Sequence, residues 1–293
     1  MWKWIVIASF VVVGIVLYAA VEVDPEYPPS PVTGPIKTAV QDFTAFSEQV
    51  QLGKQLYETL CFTCHGLNGD GVPITPEALN TQIGDRIYAR DFTGKTHMDQ
   101  KVVFKYTWGG FAGEFASDEE LKYIIRHGLY GTPMPGFDYL SERELDALIA
   151  YIKTFNDGWK NYEPTPPPDV KVPYDLLSQE RIDRGRELFL ERCIACHQDQ
   201  ENGGEPVPQP TQWYVPGTDS LMMITSRNFL TEPLRFPEPE NVYRTIKMGI
   251  GGTTMNPALW ADFTDDQIWD LVSYVYYLRN KGRSKSNETV ASN

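Results

Sequence analysis

The feature that most constrains this chain is a short pattern of two cysteines and a histidine that occurs twice. The pattern is C-x-x-C-H, and its residues are Cys61, Cys64, His65, Cys193, Cys196 and His197. It uses all four cysteines and half of the four histidines in a chain of 293 residues. Because no cysteine lies outside the two motifs, we expect both cysteine pairs to have the same chemical role.

The sequence around the two motifs also repeats. Before each motif a glycine precedes an aromatic residue by four positions, first as Gly53 and Tyr57 and then as Gly185 and Phe189. Further on, ARDF resembles SRNF, and IRHGLYGTPMP matches IKMGIGGTTMN without a gap. Such internal similarity indicates two copies of one structural unit. Each copy is therefore expected to bind its own cofactor.

Each repeat closes with a predicted helix that has a recognisable start. Ser141 with Glu144, and Thr264 with Gln267, have the spacing of capping boxes. Apolar residues then recur at helical spacing. These are Leu145, Leu148, Tyr151, Ile152, Ile268, Leu271, Tyr274 and Val275. Because we find no strong alternating strand pattern, the fold class is predicted to be all-α with long loops.

Three chemistries use paired cysteines at this spacing: redox dithiols, zinc sites and covalent haem attachment. A shared zinc site is disfavoured because the pairs lie in different repeats, and adjacent cysteine and histidine residues rarely point at the same metal. A thioredoxin-like dithiol needs a βαβ context, which the sequence lacks. The haem interpretation explains every feature. Both thiols form thioethers with the porphyrin, and the histidine binds the iron.

Methionine is a common second axial ligand in electron-carrying haem proteins, and only two methionines coincide in the gap-free match. They are Met134 and Met255, in the loops GTPMPG and GTTMNP, and we predict that they bind the two irons. The other candidates are His97, Met98, His127, Met222, Met223 and Met248. His127 is expected beside the site or at the surface. His97 and Met98 fall in an insertion, and their expected role is structural.

The repeats resemble class I cytochrome c domains over residues 47–156 and 176–281, which is most of the chain. The resemblance rests on the glycine–aromatic helix before C-x-x-C-H, the methionine loop and a closing L-x-x-Y-[IV] helix. It implies two covalently bound haem c groups, each held by two cysteines, a histidine and a methionine. It also implies that the glycine lets the first and last helices of each domain cross closely.

The resemblance further implies that each iron-binding histidine donates its other N–H to a backbone carbonyl, often that of a loop proline. The candidate acceptors are Pro73 or Pro76 in the first repeat and Pro206 or Pro208 in the second. Arg90 and Arg227 stand at matched positions and are predicted to contact haem propionates. An exposed ion pair is the alternative for each.

Outside the repeats, Trp4–Val21 is an uncharged run that as a helix spans roughly 27 Å, about the hydrocarbon thickness of a bilayer. A cleaved signal peptide is the alternative, but its apolar region is usually shorter and the candidate cleavage sites fit poorly. Residues 1–22 are therefore predicted to be a transmembrane anchor. Lys3 before the run and acidic residues after it place the haem domains on the periplasmic side of the cell membrane.

The remaining segments follow from composition. They are a proline-rich tether at 23–46, a proline-rich linker at 157–175 and a disordered tail at 282–293. The formal net charge of −13 argues against binding to nucleic acid, because no basic excess exists to neutralise phosphates. It suits docking to basic protein partners.

If protein ligands fill both axial positions, neither haem offers substrate an open site, so the chain is predicted to be an electron carrier and not an enzyme. An anchored two-haem chain resembles the dihaem subunits of quinol-oxidising complexes and terminal oxidases, and dihaem cytochromes that serve periplasmic dehydrogenases. The resemblance implies redox protein partners at the membrane, within a respiratory or photosynthetic chain, and a place in a larger complex.

Two alternatives remain open from the sequence. A dihaem peroxidase also carries two C-x-x-C-H motifs, but it needs one haem whose sixth position can open. The equivalence of the Met134 and Met255 loops argues against that enzyme. In the other alternative, the second repeat is mainly a docking module.

Overall fold

The structure is a computed structural model that describes residues 35–74, 79, 87–100, 102, 104, 115–163 and 169–291. The transmembrane anchor predicted at 1–22 lies outside these residues, as do Pro76 and the first half of the proline-rich tether, residues 23–34. Within the described part of the chain, no helix is both long and apolar enough to cross a membrane. The part of the chain that begins at Gln49 contains both repeats and forms one compact unit.

The first lobe (residues 49–163) is built on helices that flank a long loop. They are α1 (Pro35–Leu60), α2 (Phe62–His65), α3 (Asp118–His127) and α4 (Glu142–Lys153). The predicted capping box at the start of α4 is confirmed. Ser141 Oγ accepts from the backbone N–H of Glu144, and the Glu144 carboxylate accepts from that of Ser141. These bonds satisfy two backbone donors that the first helical turn leaves unpaired.

The second lobe (residues 169–291) repeats this order. Its helices are α5 (Gln179–Arg192), α6 (Ile194–His197), α7 (Pro239–Met248) and α8 (Asp265–Ala291). The reciprocal hydrogen bonds between Thr264 and Gln267 confirm the second capping box. Each lobe has its own core of apolar side chains, which contains Tyr57 and Leu148 in the first and Phe189 and Leu271 in the second.

A hairpin in the second lobe departs from the all-α prediction. β1 (Pro208–Tyr214) and β2 (Leu221–Thr225) pair antiparallel, with an irregular register between Pro210 and Tyr214. The helical framework is as predicted, but the prediction is wrong for this loop. The two prolines of β1 explain the error, because proline is rare in strands outside edges and bulges. They obscure the alternating pattern that would have indicated a strand.

The first and last helices of each lobe cross at a glycine, as the resemblance implied. A Cβ atom on Gly53 of α1 would lie 1.9 Å from the backbone oxygen of Ala147 in α4. A Cβ atom on Gly185 of α5 would lie 1.9 Å from the backbone oxygen of Asp270 in α8. No side chain fits at such distances, so glycine is required at both crossings.

The predicted segment boundaries differ from the structure at three places. Within the predicted tether, α1 already begins at Pro35, and α8 continues to Ala291 through the predicted disordered tail. Trp159, in the predicted linker, is buried in the core of the first lobe. The composition of these stretches favoured extended or disordered chain. In the structure α1 and α8 extend into two of them, and the indole of Trp159 attaches the third to the core of the first lobe.

The carboxylate of Glu201 ties α5 and α8 to the loop behind the second C-x-x-C-H motif. It accepts hydrogen bonds from Arg186 at 2.9 Å, Tyr277 at 2.7 Å and Lys281 at 2.9 Å. Burial alone would raise the pKa of this carboxyl, but the bonds from Lys281, Tyr277 and Arg186 lower the pKa of Glu201 to about 2. Because the folded pKa lies below the unfolded one, this contribution to stability is complete above about pH 5. It is lost as the pH falls towards 2.

We therefore expect Glu201→Gln to reduce the acid sensitivity of the second lobe. Above about pH 5 the variant should lose about 1 to 2 kcal/mol of unfolding free energy, and the difference from the native chain should shrink on acidification. Urea unfolding curves at a series of pH values measure this difference. Glu191→Gln is the matched control, because Glu191 is exposed and bonded only to the neighbouring Arg192. An unchanged pH profile in Glu201→Gln would contradict the assignment.

Candidate functional site

The first candidate site is built where α1 ends and the chain turns into α2. Cys61 precedes α2 and His65 ends it, so one helical turn carries the whole motif. Tyr57, buried on the last turns of α1, donates its hydroxyl to the Gly66 carbonyl at 2.7 Å. The His65 imidazole donates from Nδ1 to the Arg90 carbonyl at 3.2 Å. A neutral imidazole that donates from Nδ1 carries its lone pair on Nε2, which is then available to a metal.

The second candidate site has the same construction. Cys193 precedes α6, His197 ends it, and the His197 Nδ1 lies 3.4 Å from the Arg227 carbonyl oxygen. Gln200, which is 1 % exposed, donates to that same carbonyl at 2.9 Å and accepts from the Phe229 backbone N–H at 2.7 Å. A buried glutamine thus holds in place the carbonyl that orients the histidine.

The acceptors of the histidine N–H groups differ from those that the resemblance implied. Pro73, Pro206 and Pro208 do not supply them; the carbonyls of Arg90 and Arg227 do. The two arginines stand in the matched stretches ARDF and SRNF, so in both lobes the carbonyl of an arginine replaces that of a proline as the acceptor. The contacted carbonyl lies 25 residues after His65 in the first lobe and 30 residues after His197 in the second.

An aromatic ring stacks on each histidine. Phe92 lies 4.8 Å from His65 between ring centroids, and Phe229 lies 5.1 Å from His197. Burial lowers the pKa of His65 and that of His197 to about 4. Both imidazoles are therefore neutral at physiological pH, as metal ligation requires. The role of these phenylalanines was not predicted from the sequence, although both stand in the matched four-residue stretches.

The cysteines are not disulfide-bonded to one another. Burial, with a smaller effect of the neighbouring cysteine, raises the pKa of Cys61 and that of Cys193 to about 12, and burial also raises the pKa of Cys64. A redox dithiol needs a lowered thiol pKa, so these thiols are unsuited to that chemistry. In the described part of the chain, no cluster of three or more His, Cys, Asp or Glu side chains is placed to hold a metal ion.

The methionine loops of the two lobes share one hydrogen-bond pattern. In the first, the Leu129 N–H donates to the Met134 carbonyl at 3.1 Å, and the Met134 N–H donates to Thr132 Oγ1 at 3.2 Å. In the second, the corresponding bonds join Ile250, Met255 and Thr253 at 3.1 Å each. Each loop is thus a rigid arch that carries one half-buried methionine.

The other candidate ligands have different surroundings. His127 is exposed and bonds through Nδ1 to the Tyr123 carbonyl. Met98 and Met223 are exposed, and Met222 is buried against Trp213. His97 is buried and bonds to Gln212 of β1 at 3.2 Å, which agrees with its predicted structural role.

The arginines at the matched positions contact groups that the sequence did not indicate. The Arg90 guanidinium carbon lies 4.2 Å from the ring centroid of Trp213. Arg227 pairs with Glu232 at 2.9 Å, and both side chains are largely buried. The predicted propionate contacts of the two arginines stay predictions.

The donors of each site suit a c-type haem. Two thiols lie one helical turn apart, and the next residue presents a neutral imidazole whose Nδ1 is held by a carbonyl. Cys61 and Met134 pack against one apolar cluster, and Cys193 and Met255 pack against the other. Each lobe thus brings a thiol and a thioether to one apolar core, which is the environment that a porphyrin needs. The four ligand residues of each lobe would hold such a group.

Comparisons with known proteins agree with this geometry. The profile of the family described as Cytochrome c matches residues 50–156 and 182–279. The cytochrome bc1 complex cytochrome c subunit of Mycobacterium bovis is 27% identical over 170 residues, which are 57% of this chain and 49% of that protein. Its counterpart from Mycobacterium leprae is 26% identical over 174 residues, 59% of this chain and 48% of that protein.

The chain thus spans about half the length of these curated relatives. A solved structure of a reducing HAO-like protein complex from Kuenenia stuttgartiensis matches with a TM-score of 0.63 and 24% identity, covering 78% of this chain and 95% of that one. This likeness shows the fold alone. Because the family profile matches both lobes and covers most of the chain, the protein belongs to the cytochrome c family, which binds haem c covalently.

Proposed function

We propose that this protein carries single electrons through two covalently bound haem c groups, one in each lobe. Cys61 and Cys64 would hold the first group, and its axial ligands would be His65 and Met134. In the second lobe the equivalent residues are Cys193, Cys196, His197 and Met255. The observation that carries the proposal is the shared construction of the two sites, with the same histidine–carbonyl bond and the same methionine arch.

Bound haem supplies a one-electron Fe(III)/Fe(II) couple, and the chain's own residues adapt it to electron transfer. The Nδ1 bonds fix both imidazole planes and increase the donor strength of Nε2. The methionine arches would present the thioethers of Met134 and Met255 to the two haems, and a methionine ligand would raise the reduction potential. With these residues as ligands, the sites would transfer electrons without binding substrate.

We propose further that residues 1–22 anchor the chain in the cell membrane with both lobes on the periplasmic side, and that the protein works as a subunit or partner of a quinol-oxidising complex or terminal oxidase. The similarity to cytochrome c subunits of bc1 complexes supports this assignment, as does the net negative charge. Confinement at the membrane would raise its effective concentration near such complexes.

The test is made on the full chain, produced in cells that attach haem c. Two haems per chain should stay bound after denaturation, and neither reduced haem should bind carbon monoxide. The chain should sediment with membranes, and removal of residues 1–22 should release it. Pigment that dissociates on denaturation would overturn covalent attachment. Carbon monoxide binding, or rapid reduction of hydrogen peroxide, would favour the alternative of a dihaem peroxidase.

A further inference from the structure

The hairpin of the second lobe is bound to the first lobe through its backbone. The Tyr214 N–H of β1 donates to the Thr96 carbonyl at 2.8 Å, and the Met98 N–H donates to the Gln212 carbonyl at 2.9 Å. Residues 96–98 thus lie antiparallel to β1, with an isolated bridge between residues 97 and 213. The insertion that the sequence analysis found only in the first repeat is therefore the docking strand for the hairpin.

His97 fixes this contact from within. Its Nδ1 accepts from the Asp99 N–H at 3.2 Å, so its Nε2 carries the proton and donates to Gln212 Oε1, also at 3.2 Å. The imidazole is only 3 % exposed. A buried, fully bonded side chain with one satisfied tautomer rigidifies its surroundings. The hairpin is thus held in one position on the first lobe.

Trp213, the last residue but one of β1, contacts the surroundings of both haem sites. Its ring lies under the guanidinium of Arg90, whose carbonyl orients His65. Its six-membered ring also packs on Gly252, where a Cβ atom would lie 2.1 Å from Trp213 Cη2. Gly252 belongs to the loop of Met255, and its carbonyl accepts from the Gln212 N–H at 2.8 Å. One indole therefore joins the histidine side of the first site to the methionine side of the second.

A contact in the reverse direction joins Arg227 of the second lobe to the first lobe. Arg227, whose carbonyl orients His197, has its Nη1 3.1 Å from where a Cβ atom on Gly131 would lie. Gly131 belongs to the loop of Met134, and it is the counterpart of Gly252 in the repeat. Arg227 of the second lobe thus lies beside the methionine loop of the first lobe, and Arg90 of the first lobe reaches the methionine loop of the second lobe through Trp213.

We propose that Trp213 is a positioning residue that couples the two sites. It holds Arg90 beside the first site and presses on the arch that presents Met255 at the second. This inference rests on the proposed function, because it concerns residues around the two haem groups. It assigns Trp213 no role in transferring electrons itself, so no bond or charge changes on the indole.

The test compares Trp213→Ala, Trp213→Leu and Trp213→Phe in the full chain with both haems attached. The measured quantities are the two midpoint potentials, the near-infrared band of methionine-ligated ferric haem, and the Soret circular dichroism couplet from haem–haem interaction. Without the indole, the Met255 arch should loosen and Arg90 should turn towards water. We therefore expect both potentials to fall, the methionine band to weaken and the couplet to shrink. Phenylalanine should retain more of each signal than leucine or alanine.

Trp269→Phe is the matched control, because this buried indole packs on Tyr243 within the core of the second lobe. It should leave the couplet and both potentials near their native values. If Trp213→Ala does not fold, the measurements on Trp213→Leu test the inference, because leucine fills much of the volume that the indole occupies. Potentials and couplet that change no more in the Trp213 variants than in the control would overturn the inference. Absence of two attached haems in the native chain would instead overturn the proposed function.

Discussion

Replacing Met255 with alanine is expected to open one of the two irons to external ligands. The arch should survive, because its hydrogen bonds join Ile250, Thr253 and the backbone of residue 255 without using the thioether. The variant should therefore fold and keep both haems. It should lose about half of the near-infrared methionine band, bind carbon monoxide at one site and show a lower potential there.

Met248→Ala is the matched control for this experiment. Met248 ends α7 in the same lobe and is partly buried, but it lies outside the arch. This variant should leave the methionine band and carbon monoxide binding unchanged. Met134→Ala should reproduce the effect of Met255→Ala at the first site. If Met248→Ala opened the iron and Met255→Ala did not, the ligand assignment in the second lobe would be wrong.

Gly185→Ala is expected to destabilise the second lobe strongly, although alanine favours helix over glycine by about 1 kcal/mol. The added Cβ would lie 1.9 Å from the Asp270 backbone oxygen and 3.0 Å from the Tyr274 Cβ. The clash is with a backbone atom, which cannot move aside as the end of a flexible side chain can. The helices α5 and α8 must therefore move apart. Overpacking of this kind should cost about 3 kcal/mol or more, and Tm should fall by roughly 5–10 °C.

Gly217→Ala is the control that separates the effect of steric crowding from the effect of replacing a glycine. Gly217 has a φ of +77°, and a Cβ there would meet nothing within 4 Å. Only backbone strain opposes this change, at about 1–2 kcal/mol. Thermal unfolding followed in the haem absorbance and in far-ultraviolet circular dichroism compares the variants. A Gly185→Ala variant as stable as Gly217→Ala would contradict the close crossing of the two helices.

The helical framework could be predicted because its signals are local. The capping boxes at Ser141 and Thr264 need only the residues of one helical turn, and the hydrogen bonds of the structure confirm both. The importance of Gly53 and Gly185 came from the resemblance, and the steric contacts at both crossings confirm it. The hairpin could not be predicted, because the prolines of β1 hide its pattern, and neither could its contact with residues 96–98 of the other lobe.

Much of each site could also be predicted, because C-x-x-C-H places three of its donors within five residues. The partner of each histidine could not. The carbonyls of Arg90 and Arg227 come from residues 25 and 30 positions away, and only the path of the loop decides which carbonyl arrives beneath the ring. Gln200 was missed for the same reason. Trp213 lies outside the stretches that match between the repeats, so a comparison of the repeats does not single it out.

The amino-acid sequence alone established the two repeats, their helical character and the predicted donors of each site, because these depend on neighbours along the chain. The three-dimensional structure established which carbonyl each histidine contacts and that a hairpin of one lobe is docked on the other. It also showed that one indole lies between Arg90 and Gly252. These contacts join distant residues through shape and backbone hydrogen bonds, which no local pattern encodes.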